Sequence, residues 1–470
     1  MITKTDFLEF IDAPMHFWAS KHDQIEKPPP LYDQHLMRQG KEVERLAREF
    51  IETQLLEGTK SEIIHEKTFV AGNFQARVDT LARDPAEGVI DIYEIKSSTS
   101  VKKEDQYDVA FQRLVCEVNV NVRDVFIVHL DPDYTRQGGL DLASMFTVVN
   151  MNKEIQERAR EVAAKREEAW RVASLPFPEG IQTCTKPQDC PCPSLCHGGL
   201  PEYPIYDIPR LYSTKAKELK SRGILSIHDI PDGYPLSSRQ DRQVEAVKSG
   251  DPFIDTPAIV DELSKLQYPL SFLDYETYSP AVPLYDGYKP YQHIVFQYSL
   301  HIVESPESKL EHIELLLMGE GDPGMKLAEH LSKHAPDSGS VIVWNKPFEV
   351  GRNRAMAERY LAHRDVLLNL NSRMYDLMKI FSRGLYIHPD FHGSASIKNV
   401  LPVLVPEFGQ NYTELNISSG DEAMLAWADL VSGQVPDEQV QHLRNDLLAY
   451  CKLDTLAMVK IWETLREEVM

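Results

Sequence analysis

Two separate stretches of this chain alternate apolar and polar residues with the two-residue period of a β-strand, and a helix-like pattern follows each of them. The first covers residues 67–96 and contains FQARVDTLA and VIDIYEIKSS, joined by a turn at residues 84–88. The second begins at Tyr268 and contains PLSFLDYETY, HIVFQYSLHIV and KLEHIELLLM. Strands and helices that succeed one another in this way build α/β cores. The pattern therefore predicts two α/β cores in one chain.

The length of the chain also favours two domains, because 470 residues exceed what a single hydrophobic core usually serves. We predict a first domain over residues 1–198, a helical connector over 199–265 and a second domain over 266–470. In the first domain, a helix near 104–118 and the strand VRDVFIVHLD should follow the initial strands. In the second, the apolar strand SVIVWN should be followed by helices. The predicted fold class is α/β (α+β).

Composition excludes several classes of protein. No apolar run approaches the roughly 18 residues of a membrane span, and the acidic start of the chain is not a secretory signal. We therefore expect a cytoplasmic protein that does not bind membranes. Lys and Arg total 50 against 72 Asp and Glu, a formal charge of −22, which argues against non-specific coating of a phosphate backbone. Carboxylates that hold divalent cations could still act on phosphates.

Acidic and phenolic residues of the second domain follow a pattern that suits metal-dependent hydrolysis. Asp274 and Glu276 lie two apart on a predicted strand and therefore on one face. Glu349 follows a buried-type strand, and Tyr450 and Asp454 lie one helical turn apart. Mg²⁺ prefers oxygen ligands, and two such ions about 4 Å apart can cleave a phosphodiester. The alternative is that these acids are solvated surface residues.

These motifs resemble those of the DnaQ-like, DEDDy-type exonucleases of the ribonuclease-H-like fold. The three motifs are D-x-E, N-x-x-F-D and Y-x-x-x-D, which appear here as DYE at 274–276, NKPFE at 345–349 and YCKLD at 450–454. Asp376 and Lys398 match lesser positions, and Glu349 stands where the family usually has Asp. The resemblance implies a mixed sheet flanked by helices and a 3′–5′ exonuclease. Its Mg²⁺ or Mn²⁺ ligands would be Asp274, Glu276, Glu349 and Asp454, and Tyr450 would position the attacking water.

A second group of residues lies in the first domain. Asp79 ends the strand segment FQARVD, Glu94 and Lys96 share one face of the next strand, and Gln112 lies on the following helix. Two acids with a nearby lysine supply metal ligands and a cation that stabilises developing negative charge. The alternative is an ordinary exposed E-x-K on an edge strand.

This group resembles the PD-(D/E)XK nucleases, specifically the RecB-like branch that includes CRISPR-associated exonucleases. Asp79 matches the aspartate of that signature without its proline, and Glu94-Ile95-Lys96 matches E-x-K. Gln112 begins a Q-x-x-x-Y helix motif in which Cys116 replaces Tyr, and Glu44 stands near the place of a His ligand. The resemblance implies a restriction-endonuclease-like core in which Glu44, Asp79 and Glu94 bind metal. The site could be active or degenerate.

Four cysteines crowd into residues 184–196, namely Cys184, Cys190, Cys192 and Cys196. Clustered cysteines in a cytosolic protein usually bind metal. Many RecB-like nucleases hold a [4Fe–4S] cluster with one N-terminal and three C-terminal cysteines, but Ala13 and Pro14 occupy the N-terminal position here. We therefore expect all four ligands to come from the local group, holding a structural [4Fe–4S] cluster or, alternatively, Zn²⁺. A loose Cys- and Pro-rich loop is the remaining alternative.

The connector resembles helix-hairpin-helix-like segments that follow RecB-like domains and touch DNA phosphates. Its basic residues are Lys215, Lys217, Lys220 and Arg222, which with Gln112 are the predicted nucleic-acid contacts. Because the usual glycine hairpin is absent, a plain helical spacer is an equal alternative.

The whole chain is similar to bacterial proteins that join a RecB-like nuclease domain to an exonuclease-like domain of unknown function. This resemblance implies a metal-dependent exonuclease that processes single-stranded or frayed ends, of DNA rather than RNA, in repair, recombination or defence. The alternative is a catalytically degenerate nucleic-acid-binding or scaffold protein.

Overall fold

The computed structural model describes residues 1–319, 321–409 and 415–469. The chain divides into two compact units, of which the first contains Met1–Gly199 and Ser279–Gln292 and the second contains Leu200–Tyr278 and His293–Met470. Both units combine helices with a sheet of parallel and antiparallel strands, which confirms the predicted α/β class. In the described part of the chain, none of the helices is long and apolar enough to cross a bilayer.

The sheet of the first unit has the strand order β1-β2-β3-β4-β5 among the described residues. Its strands are β1 (Glu62–Ala71), β2 (Phe74–Arg83), β3 (Val89–Lys96), β4 (Asn121–Leu130) and β5 (Phe146–Asn150). Strands β3 and β4 are parallel, and the other neighbours are antiparallel. The strand–strand–helix–strand order predicted from the sequence corresponds to β2, β3, a helix and β4. The parallel pair places the ends of β3 and β4 at one edge.

Helices cover both faces of this sheet. They are α1 (Lys4–Asp12), α2 (Pro14–Lys21), α3 (Leu31–Phe50), α4 (Lys103–Cys116), α5 (Leu142–Met145), α6 (Asn152–Ala173) and α7 (Pro193–His197). One core contains Phe7 of α1 and Phe111 of α4, whose rings stack at 4.8 Å. The other contains Val43 of α3, with Tyr93 and Phe146 of the sheet. Large apolar side chains on two faces explain why both sides of the sheet are covered.

The second unit begins with the predicted connector and continues into a second sheet. Its helices are α8 (Ser213–Ser221), α9 (Ser238–Ser249), α10 (Thr256–Leu263), α11 (Pro323–His334), α12 (Lys346–Arg359), α13 (Arg364–Ser372), α14 (Lys379–Ser382), α15 (Ile397–Leu404), α16 (Pro406–Gly409), α17 (Gly420–Val431) and α18 (Asp437–Val469). Its strands are β6 (Phe253–Ile254), β7 (Leu270–Tyr278), β8 (Ile294–Val303), β9 (Glu311–Leu316), β10 (Ser340–Val343), β11 (Met374–Asp376) and β12 (Tyr386–Ile387).

The main sheet of the second unit has the order β11-β10-β7-β8-β9, and β6 pairs separately with β12. Strands β7, β8 and β9 are antiparallel neighbours, whereas β10 and β11 run parallel to β7. Strand β8 is buried along its whole length, including the polar residues Gln297, Ser299 and His301. The long helix α18 packs on β7, β8 and β9, and Gln297 of β8 donates to the carbonyl oxygen of Leu447 at 2.8 Å. This packing brings the middle of α18 against β7.

Candidate active site and metal centre

The first two acids of the second unit are positioned by strand β7. Asp274 and Glu276 project from the same face, as their spacing predicts, and the pairing register with β8 shifts directly after Glu276. The carboxylate oxygens of these two residues and the Sγ atom of Cys451 all lie within 4.8 Å of one another. Glu276 is buried, with 7% of its surface exposed. The structure thus places two carboxylates and a thiol close enough together to contact one metal ion.

Glu349 reaches this region through a sharp turn between β10 and α12. Asn345 adopts a positive φ of 98°, and its backbone N–H donates to Oδ1 of Asp376 at 3.3 Å. A non-glycine residue in such a conformation costs about 1–3 kcal/mol, which the surrounding structure must supply. Glu349 lies in the first turn of α12, where the helix dipole favours a negative charge. It is 2% exposed, and within the described chain its Oε2 atom has no hydrogen-bond partner.

Helix α18 contributes the remaining groups. Tyr450 and Asp454 lie one turn apart, and Cys451 lies between them with its Sγ atom 3.8 Å from Oδ2 of Asp274. Tyr450 is buried, and the Nζ atom of Lys398 lies 6.0 Å from the centre of its ring. Cys451 was not predicted as part of the site. Its position directly after the tyrosine of the third motif was the available signal.

The acids of this cluster repel one another. Burial raises the pKa of Asp274 well above its usual value, and the charge of Asp454 raises it further. Burial, then Asp274, likewise raises the pKa of Glu276 and of Glu349. Among residues 1–319, 321–409 and 415–469, no lysine or arginine forms an ion pair with any of Asp274, Glu276 or Glu349. The charge of Lys398 lowers the pKa of Glu276, and that of Arg352 lowers the pKa of Glu349, but burial and the neighbouring acids outweigh both. Buried carboxylates that lack an ion pair are costly, so these oxygen donors fit a hard divalent cation.

The predicted acids of the first unit also lie close together, but lysine side chains of the same unit neutralise them. Glu94 and Lys96 on β3 lie beside Asp79 of β2, and Lys96 donates to Glu94 at 2.9 Å. Gln112 of α4 donates to Oε2 of Glu94 at 2.7 Å. A residue that the sequence analysis missed, Lys4, donates to Oδ1 of Asp79 at 3.2 Å and to both oxygens of Glu94 at 2.7 and 2.9 Å. The structure therefore brings Asp79, Glu94, Lys96 and Gln112 together, and the ammonium group of Lys4 joins them.

Two further acids complete the surroundings of this group. Asp108, one turn before Gln112 on α4, accepts a hydrogen bond from Lys96 at 2.5 Å. Glu44, predicted as a metal ligand, lies on α3 and is paired with Arg48 of the same helix, which also reaches Glu66 at 3.0 Å. The structure therefore joins Glu44 to an arginine, and its role as a metal ligand stays a prediction.

The four predicted cysteines converge with two histidines. Two sets have ligand atoms within 4.8 Å of one another: one joins His16 to Cys190, Cys192 and Cys196, and the other joins His197 to Cys184, Cys190 and Cys196. The Sγ atoms of Cys192 and Cys196 are 3.9 Å apart. This Cys/His cluster could therefore bind a metal ion.

The histidines were not predicted as ligands. His197 directly follows the last cysteine, and its Nε2 atom lies 3.0 Å from Sγ of Cys184. Hydrogen bonds, chiefly from Cys196 and also from His197, lower the pKa of Cys184 to about 2. His16 comes from α2, and its Nε2 atom lies 3.5 Å from Sγ of Cys190. We had expected all four ligands to come from the local cysteines. His16, two residues after Pro14, is an additional potential donor from the N-terminal part of the chain.

The basic residues of the connector belong to one short helix. Lys215, Lys217 and Lys220 lie on α8, and Arg222 directly follows it. Lys215 donates to the carbonyl oxygen of Pro235, and Arg222 pairs with Glu218 at 3.4 Å. Lys215 and Arg222 therefore have partners within the connector.

Part of the second unit matches a known protein family. A family profile described as a domain of unknown function (DUF2779) matches residues 271–396, a stretch that contains Asp274, Glu276 and Glu349. The chain is also 27% identical over 224 residues to an uncharacterized protein of Ureaplasma parvum, covering 43% of this chain and 32% of that protein. An uncharacterized protein of Mycoplasma pneumoniae is 28% identical over 212 residues, which cover 42% of this chain and 32% of the relative. The chain thus spans about a third of the length of these curated relatives.

Proposed function

We propose that the second unit is a divalent-metal-dependent exonuclease that removes nucleotides in the 3′ to 5′ direction. The observation that carries this proposal is the cluster of half-buried Asp274 with buried Glu276 and Glu349, none of which is ion-paired to a lysine or arginine in the described chain. Acids brought together from a strand and a helix at such a cost need a counter-charge close to their oxygens. Mg²⁺ or Mn²⁺ would supply it, and the motif order supports the DEDDy type of exonuclease.

The residues of the chain would divide the work as follows. Asp274, Glu276, Glu349 and Asp454 would hold the cations, and bound divalent cations activate water and stabilise the leaving oxygen in phosphodiester hydrolysis. The hydroxyl of Tyr450 would hold the attacking water in line with the scissile bond. The water oxygen forms the new bond to phosphorus, and the 3′-oxygen of the preceding nucleotide leaves and takes up a proton.

Single-stranded or frayed ends, of DNA rather than RNA, are the proposed substrates. The formal charge of −22 disfavours broad electrostatic wrapping of a duplex, so recognition would be concentrated at the scissile phosphate of the 3′-terminal nucleotide, next to the cations. The exposed Lys217 of α8 would add a phosphate contact away from the site. The nuclease-like pattern of both units supports end processing in repair, recombination or defence.

Degradation of end-labelled strands tests this proposal. Single-stranded DNA and RNA, labelled at either end, are incubated with the wild-type protein, Asp454→Asn and Asp446→Asn in Mn²⁺ or Mg²⁺. Asp446 is a matched control, because it lies on the same helix but bonds Asn416. We expect 3′ to 5′ shortening that Asp454→Asn lowers by at least about 100-fold and Asp446→Asn leaves unchanged. Equal activity in all three proteins would refute the assignment, and so would no activity in any of them.

For the Cys/His cluster, we propose a structural zinc ion. Zinc–sulfur bonds of about 2.3 Å in a tetrahedron place sulfur atoms about 3.8 Å apart, close to the 3.9 Å between Cys192 and Cys196. In a [4Fe–4S] cluster each thiolate binds a different iron, which spaces the sulfur atoms more widely. A structural zinc takes four ligands, which the set of His16, Cys190, Cys192 and Cys196 would supply.

Metal analysis of the purified protein distinguishes zinc from iron. We expect bound zinc without the visible absorption of an iron–sulfur cluster, and we expect less zinc in His16→Ala. The exposed His334 gives the matched control, His334→Ala, which should keep the wild-type zinc content. Four iron atoms and matching sulfide per chain would overturn the zinc proposal.

For the first unit, a non-catalytic role in binding nucleic acid is the second candidate. Lys4 and Lys96 already neutralise Asp79 and Glu94, which supports a core that no longer uses metal.

A further inference from the structure

Lys4 occupies the position in the first unit that a divalent cation would need. Its Nζ atom contacts Oδ1 of Asp79 at 3.2 Å and both carboxylate oxygens of Glu94 at 2.7 and 2.9 Å. The other oxygen of Asp79 accepts from the backbone N–H of Ile95 at 3.0 Å. Every carboxylate oxygen of this acid pair therefore has a hydrogen-bond donor. These residues do not fit a divalent ion unless a lysine leaves.

The backbone around Lys4 holds the side chain in this place. The N–H of Ile2 donates to the carbonyl oxygen of Asn73, and the N–H of Gln75 donates to the carbonyl oxygen of Ile2, both at 2.8 Å. These bonds attach the start of the chain to the beginning of β2, the strand that carries Asp79. Phe7, one turn after Lys4 on α1, is fully buried. Removing Lys4 from the acids would therefore require movement of a side chain from an anchored helix.

The charge of Lys4 is secure as well. Lysine carries a positive charge at neutral pH, and the carboxylates of Asp79 and Glu94 contact this ammonium group directly. Access from solvent is not the obstacle to metal, because an open cavity of about 670 Å³ reaches Lys96.

We propose that Lys4 is a built-in counter-ion that closes the Asp79–Glu94 cluster to divalent cations. The first unit then keeps a nuclease-like arrangement of acids, lysine and glutamine without using metal. The second unit shows the opposite condition, with buried acids that no lysine or arginine pairs among the described residues. This inference concerns metal binding in the first unit and does not depend on nuclease activity in the second.

Mn²⁺ binding to the full-length chain tests the proposal. All variants carry Asp274→Asn, which removes the proposed site of the second unit, and the number of bound ions is measured by electron paramagnetic resonance. We expect Lys4→Met to gain one Mn²⁺ site, at least about tenfold tighter than any in the background protein. Adding Glu94→Gln should abolish that gain. Lys21→Met is the matched control, because Lys21 pairs with Asp6 on the neighbouring surface at 2.5 Å.

Two further comparisons keep the test decisive. Lys4→Arg retains the positive charge and should bind no additional Mn²⁺. Glu94→Gln in the background protein, where Lys4 is intact, should leave Mn²⁺ binding unchanged, and this comparison needs no substitution of Lys4. The proposal is overturned if the background protein binds Mn²⁺ through Glu94. It is also overturned if folded Lys4→Met gains no Mn²⁺ site and no thermal stabilisation by Mn²⁺.

Discussion

Cys451 gives the acidic cluster of the second unit a soft donor among hard ones. Its Sγ atom lies 3.8 Å from a carboxylate oxygen of Asp274, and the side chain is fully buried. Burial and the surrounding carboxylates raise the pKa of this thiol well above its usual value, so it is neutral unless a metal replaces the proton. Thiolates select soft ions, whereas carboxylates select Mg²⁺ and Mn²⁺. The residue should therefore influence which metals the site accepts.

We expect Cd²⁺ to inhibit the proposed nuclease through this thiol. Cys451→Ser should weaken inhibition by Cd²⁺ by at least about tenfold, the scale of changes close to a metal. The measurement is strand degradation in Mn²⁺ with increasing Cd²⁺. Cys116→Ser is the control, since Cys116 is equally buried but belongs to the first unit. Identical inhibition of both variants would contradict this role of Cys451.

The turn between β10 and α12 determines where Glu349 lies. Asn345 holds a φ of 98° there, and Asp376 at the end of β11 accepts its N–H. Asparagine tolerates a positive φ better than most residues, and glycine tolerates it at no steric cost. The geometry of this strand-to-helix turn thus depends on a residue at position 345 that tolerates a positive φ.

Substitution of Asn345 tests this account. We expect Asn345→Gly to preserve stability closely and Asn345→Val to lower the free energy of unfolding by about 1–3 kcal/mol relative to it, because a β-branched residue resists a positive φ. Urea unfolding monitored by tryptophan fluorescence gives the comparison. Equal stability of the two variants would show that the turn relaxes without cost.

Strands β8 and β9 carry a histidine pair beside helix α18, in which His301 is buried and His312 is half-buried. The rings of His301 and His312 stack at 4.3 Å, and Nδ1 of His301 lies 2.8 Å from the hydroxyl oxygen of Thr455. Burial lowers the pKa of His301 to about 3 and that of His312 to about 4. Both rings are therefore neutral in the folded protein.

This pair predicts a dependence of stability on pH. Below the ordinary histidine pKa of 6.5, the unfolded chain binds protons that the folded chain does not, so the free energy of unfolding should fall between pH 6.5 and about 4. His301→Asn should reduce this slope, whereas replacing the exposed His334 by Asn should not. Urea unfolding across this range is the measurement. An unchanged slope in His301→Asn would contradict the prediction.

At the scale of the whole molecule, the relations between residues close in sequence could be predicted, whereas contacts between segments far apart in sequence could not. The two-residue period predicted that Asp274 and Glu276 share one strand face and that Glu94 and Lys96 share another, because residues two apart on any strand point to the same face. Lys4 reaches Glu94 across ninety sequence positions, and no local period encodes such a contact. His16 was missed for the same reason, since α2 brings it to cysteines far along the chain. The succession of strand-like and helix-like patterns predicted the α/β class but not the neutralising lysine.

The two units have separate hydrophobic cores and separate candidate metal sites. We expect their metals to stabilise the protein independently. His16→Ala, which removes a donor of the Cys/His cluster, and Asp274→Asn, which lowers Mn²⁺ binding, should have additive effects on the melting temperature in Mn²⁺, as sites that share no partners usually do. Thermal unfolding of the single and double variants provides the test. A large deviation from additivity would show that the two sites are coupled.

The central claim is that the acids of the second unit hold the cations that hydrolyse nucleic acid ends. The most direct measurement is the rate of nucleotide release from end-labelled single-stranded DNA by the wild-type protein and by Asp274→Asn across one Mn²⁺ titration. We expect wild-type activity to rise with Mn²⁺ and Asp274→Asn to be slower by at least about 100-fold at each concentration. Full activity of Asp274→Asn would contradict the claim.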